Sequence, residues 1–132
     1  ATGTPILVGK GAAKNDELTF SVAAGNDLWL HTRDVPGAHV VVPLAGRSVD
    51  EATLLDAATL ALWFSPARPA EPLSHEAAGQ VQVDVTYAQR KLVRKPRGAP
   101  PGRVSVAGGK TIRIRLELER LRRLLASQAP SA

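Results

Sequence analysis

The chain contains no cysteine. That absence excludes disulfides and thiolate metal sites, and it fits a reducing compartment such as the cytoplasm. Long apolar runs are also missing. The longest candidate, Ala57 to Phe64, falls far short of the roughly 18 residues that a membrane span requires. No basic region leads into an apolar one at the N-terminus, so no signal peptide is expected. Gly9-Lys10-Gly11 lacks the Gly-Lys-Ser/Thr ending of a phosphate-cradling P-loop. None of Ser48, Ser65 and Ser74 sits in a Gly-x-Ser-x-Gly turn. Aromatic residues amount to only 4% of the chain, and one of its two tryptophans, Trp29, falls in the most distinctive stretch.

What is present is a foldable chain of 132 residues, 44% apolar, with a lopsided charge. Residues 1–89 carry five basic and ten acidic residues, whereas residues 90–132 carry twelve basic and two acidic ones. A terminal third with a balance of +10 suits a polyanionic partner, because Lys and Arg displace counterions from phosphates. A solvated basic tail is the plainer account.

Periodicity predicts an α+β fold: a single domain over 1–132, with a mainly antiparallel sheet and two or three helices. Ile6 to Val8 reads as a strand. Asn15 reads as an N-cap for a helix over about 16–23. Strands are expected over 28–32 and 39–43, either side of the Val35-Pro36-Gly37 turn. Asp50 caps the clearest helix, 50–64, and Ala57 and Ala61 let it lie close to a sheet. Residues 66–79 read as loop. Residues 81–88 alternate as a half-buried strand. Gly98 to Gly102 forms a rigid turn, and Gly108-Gly109 suggests a hairpin joining 104–106 to 111–116. The core is expected over about 5–116, followed by a helix from Glu117 and a frayed tail.

Two stretches hold the candidate chemistry. In Asp27 to Val42 (DLWLHTRDVPGAHVVV), Trp29 and His31 share a strand face. Trp29 suits either core packing or stacking on a base, and His31 suits a base or phosphate contact. Arg33 offers a planar phosphate donor, and His39 flanks the turn as a second surface candidate. Asp34 suits an Asx turn and Gly37 a positive φ, or the pair shapes the backbone for close approach to RNA. His31, Asp34 and His39 also raise a metal-dependent enzyme as a lesser alternative. The eight-residue histidine spacing, the absence of a thiolate and the lack of a third histidine nearby argue against it. The second stretch runs from Arg90 to Arg103. Arg90, Lys91, Arg94, Lys95, Arg97 and Arg103 read either as a phosphate grip or as a charged edge strand that blocks pairing. Arg113 and Arg115 can extend this patch, whereas Arg120, Arg122 and Arg123 read as a solvated helix face.

Six segments in order, ILVGK (6–10), NDELTF (15–20), DLWLHTRDVPGAHVVV (27–42), FSPAR (64–68), VDVTYAQRKLVRKPRGAPPGRV (83–104) and KTIRI (110–114), resemble one family. It is the NFACT-R domain of the ribosome-associated quality-control factors RqcH and NEMF, whose bacterial members are also called fibronectin-binding protein A-like. The resemblance implies a non-catalytic, cofactor-free, cytoplasmic RNA-binding domain working in translation. Its partners would be rRNA or tRNA, the large ribosomal subunit and further domains of a longer parent chain, with no membrane contact. Lys10 and Lys14 join the candidate RNA contacts on this reading. A fibronectin-binding-like protein-interaction module is the alternative.

Overall fold

The computed structural model describes residues 5–33, 35–69 and 74–127. Asp34 and the final residues 128–132, expected to fray, lie outside that set. In chain order the elements are β1 (Leu7–Val8), α1 (Ala12–Glu17), β2 (Leu28–Thr32), β3 (Val40–Val42), α2 (Glu51–Trp63), α3 (His75–Gly79), β4 (Gln82–Gln89), β5 (Val93–Arg94), β6 (Ser105–Val106), β7 (Lys110–Arg115) and α4 (Leu118–Ala126). A π turn, Leu18–Val22, extends α1, and a 3-10 turn, Arg90–Leu92, leads into β5. The five-stranded sheet has the order β1-β3-β2-β4-β7, antiparallel throughout. Strands β5 and β6 pair with each other as a separate ribbon. The α+β class and the antiparallel sheet are thus as the periodicity predicts.

Alternation divides the sheet residues between two faces. Leu28, Leu30, Val40, Val42, Val85 and Ile114 point to one face, where they pack with Ala57, Ala58, Ala61 and Leu62 of α2 and with Leu118 and Leu121 of α4. The alanines are fully buried and bring α2 close to the sheet. Trp29 and Val41 point to the other face and pack with Leu18 of the π turn and Val93 of β5. The central strands β2 and β3 are therefore covered on both sides, which accounts for the unbroken Val40-Val41-Val42 run. The edge strand β7 stays largely exposed, with Lys110, Arg113 and Arg115 guarding it against pairing.

Helix α2 begins as its sequence predicts, with the Asp50 carboxylate accepting from the Thr53 backbone N–H at 2.9 Å. Several other expectations need correction. Helix α1 starts at Ala12, and Asn15 makes no cap: its buried side chain accepts from the His39 N–H at 3.0 Å and donates to the Gly37 carbonyl at 3.1 Å. The stretch read as loop contains α3, capped by Ser74. The Gly108-Gly109 turn joins no hairpin, since β6 pairs with β5 and β7 with β4. Arg120 and Arg123 are not merely solvated. Both reach across from α4 to the fully buried carboxylate of Asp56, at 2.6 and 2.7 Å.

Candidate nucleic-acid interface

The second face of the sheet carries polar groups in rows, because residues opposite one another in an antiparallel register share a face. Trp29 lies opposite Ala88, and His31 opposite Thr86, which lies opposite Thr111. Asp84 faces Arg113 across the β4–β7 pair and binds its guanidinium at 3.2 Å. The β5–β6 ribbon and α1 cover part of this face. Between them opens a cleft of about 1010 Å³ with His31 and Thr86 in its lining. The turn Val35 to Ala38 and the side chain of Phe64 bound it on one side, and Pro101, Gly102, Arg103, Val104 and Val106 on the other. Lys10 stands at its mouth, its ammonium 4.5 Å from the Phe64 ring centre.

A buried hydrogen-bond chain underlies the cleft. The Trp29 indole N–H donates to Thr19 Oγ1 at 3.2 Å, and Thr19 Oγ1 lies 2.8 Å from His39 Nδ1. His39 Nε2 lies 3.2 Å from the Gly102 carbonyl, which can only accept. The proton of the neutral ring therefore sits on Nε2, and the Thr19 hydroxyl donates to Nδ1. Burial, and then the neighbouring His31, push the His39 pKa down to about 4, against which the Gly102 carbonyl works. His31 is also lowered, chiefly by burial, with the Gly37 backbone partly offsetting it. The rings brace one another: Trp29 and His31 are stacked with centroids 6.0 Å apart, and His39 meets each edge-on at 5.3 Å.

A second network fixes the loop between β5 and β6. Lys95 Nζ lies 3.0 Å from Asp16 Oδ2 and donates to the carbonyls of Arg103, at 3.0 Å, and Pro100. The Gly102 N–H donates to Asp16 Oδ1 at 3.0 Å. Burial raises the Asp16 pKa, but Lys95 and Gly102 outweigh it and hold the carboxyl below its ordinary value. Gly102 adopts φ +83° and packs so near Ala12 that a Cβ would come within 3.3 Å. A side chain there would add strain and crowding.

The structure sorts the sequence candidates by what holds them. Lys10, His31, Gly37 and Arg103 meet in the cleft. His39 lies beneath it, fully buried, and is no surface residue as the sequence suggests. Gly37 has no positive φ; its place depends on close approach, since a Cβ would meet Ser65 Cβ at 3.0 Å and Thr32 Oγ1 at 3.2 Å. Lys91, Arg94 and Arg97 are exposed, on the 3-10 turn, on β5 and on the loop that follows it. Lys95 is committed to the loop network, and Arg90 donates to the Thr19 carbonyl while lying 4.8 Å over the Phe20 ring. Lys14 is exposed on α1 and pairs with Glu17 at 3.6 Å. Arg33 is exposed at the end of β2, 3.5 Å from Thr111 Oγ1. Asp34 lies outside the described residues. Sequence reasoning missed Asn15, Asp16 and Thr19 as the groups that position this site. Among the described residues, no three His, Asp or Glu side chains are grouped to hold a metal, and no helix is long and apolar enough to cross a membrane.

Over 111 residues, 84% of its length, the chain is 40% identical to the Rqc2 homologue RqcH of Bacillus subtilis and 44% identical to that of Streptococcus suis. The chain is homologous to one segment of RqcH. It spans 17% and 18% of the length of these two RqcH relatives. The solved C-terminal part of the fibronectin/fibrinogen-binding protein of S. suis superimposes with a TM-score of 0.77 at 36% identity, over 92% of this chain and 44% of that one. No protein-family profile matches the chain.

Proposed function

We propose that this chain is a non-catalytic RNA-binding domain of the NFACT-R type, cytoplasmic, acting in ribosome-associated quality control by contacting rRNA or tRNA on the large ribosomal subunit. One observation carries the reading: Lys91, Arg94, Arg97 and Arg103 stand exposed on β5, the turn before it and the loop after it, beside an open cleft, on a chain homologous to RqcH. Exposed guanidinium and ammonium groups on and beside a paired ribbon suit a phosphate backbone, which is gripped by position and charge rather than by sequence.

The test is fluorescence anisotropy on tRNA and on large ribosomal subunits over a salt series. Affinity falls steeply with salt, and changing Lys91, Arg94 or Arg97 to Ala lowers the logarithmic salt slope by about one apiece. Charge reversal of all three weakens binding to every RNA sequence alike. Absent or salt-independent binding sinks the reading. A second reading rests on the solved S. suis protein, described as binding fibronectin and fibrinogen. Tight fibronectin binding by this chain at moderate salt, without RNA binding, would favour it.

A further inference from the structure

We propose that the cleft between the Val35–Ala38 turn and the β5–β6 ribbon seats one unpaired nucleobase of an RNA strand, with His31 against the base and Lys10 and Arg103 on the adjoining phosphates. This rests on the RNA-binding reading and goes beyond it, because phosphate contacts along the ribbon need no cleft and accept a duplex as readily as a single strand.

Four features favour this occupant. The lining is mostly apolar, with few converging polar groups, as in sites that take a flat organic ring. Glycines at 11, 37 and 102 line it, so its walls there are backbone and a planar ligand can approach closely. Its described lining residues include two cations, Lys10 and Arg103, and no carboxylate. That combination suits a ring carried between phosphates and disfavours a basic or zwitterionic peptide, whose positive charge would find no carboxylate there. Finally, His31 is braced by Trp29 and His39, so its ring is held in place before any ligand arrives. Burial keeps that imidazole neutral at pH 7, with one nitrogen a donor and the other an acceptor. A neutral imidazole can both stack on a base and hydrogen-bond to its edge, whereas an imidazolium would serve chiefly as a further phosphate anchor. A paired base is already stacked and bonded on that edge, so the cleft discriminates against duplex.

The experiment titrates the chain with a labelled single-stranded pentaribonucleotide, A5, and with a blunt RNA duplex of matched phosphate number. A5 is expected to bind about tenfold more tightly than the duplex, in line with the strength of stacking one base on an aromatic surface. His31→Phe retains a stacking ring but loses the edge contact; His31→Ala loses both. The Ala variant should lose about tenfold on A5, with the Phe variant between it and the wild type. Duplex affinity and salt slope stay unchanged in both, whereas Lys10→Ala lowers the salt slope on A5. Backbone amide shifts of Gly37 and Gly102 in the unaltered chain, on adding A5, report occupancy without any substitution. Equal affinity for A5 and duplex, or unmoved Gly37 and Gly102 resonances at saturation, overturns the cleft proposal while leaving RNA binding in place. Binding of neither probe overturns both readings.

Discussion

The two faces of the sheet are built by different means. On the α2–α4 face, aliphatic side chains close over Leu28, Leu30, Val40, Val42 and Val85, and one buried carboxylate, Asp56, ties α4 to α2. On the opposite face the buried apolar cluster is smaller, formed by Leu18, Trp29, Val41 and Val93, and hydrogen bonds through Asn15, Thr19, His39, Asp16 and Lys95 do much of the joining. Apolar packing tolerates small displacements, since it has no direction. Hydrogen bonds fix atoms to within tenths of an ångström and fail sharply when a partner is removed. The first face holds the fold together, and the second sets where loops and rings stand.

That contrast predicts unequal responses. Leu30→Ala, in the fully buried core of the first face, should cost about 3–4 kcal/mol of unfolding free energy in urea while leaving the geometry of the cleft loops alone. A loss under about 1 kcal/mol would mean that this face does not dominate stability. Acid should strike the second face next. His39 titrates near 6.5 when unfolded and near 4 when folded, so between those values the unfolded chain takes up the proton first and stability falls as pH falls. Unfolding at pH 5 should need about 2 kcal/mol less than at pH 7, and a flat profile over that range would show that His39 is not held neutral. Thr19→Val keeps the shape and removes the hydroxyl that joins Trp29 to His39. Its expected cost is about 1.5 kcal/mol in the same urea assay, together with a shifted Gly102 amide signal by NMR. An unmoved Gly102 signal would sever the second face from the loop.

The sequence discloses what depends on regular spacing and conceals what depends on distance. Helix α2 with its Asp50 cap and strand β4 follow from periods that a few neighbouring residues determine. Asn15 sits where a capping residue belongs, yet its partners, Gly37 and His39, lie more than twenty residues away, and no local pattern reports them. The Gly-Gly turn marks a reversal correctly, but a reversal does not say which strands pair. Within the basic run, Lys95 looks like its neighbours. The alternation around β5, with Val93 inward and Arg94 outward, is the signal that turns Lys95 inward. His39 reads as exposed because of the turn beside it, while the three buried valines that follow argue for enclosure.

The loop from Pro96 to Arg103 leaves one last consequence. A loop that carries two arginines and two glycines would ordinarily sample several shapes and surrender them on meeting a partner. Here the Lys95 ammonium and the Asp16 carboxylate have already removed that freedom during folding. On the proposed function, a polyanion would meet a surface whose disorder was spent in advance, so ordering this loop would subtract little from the binding free energy. Ionic strength should then act mainly on how often the two molecules find each other, and loop stiffness on how long they stay together.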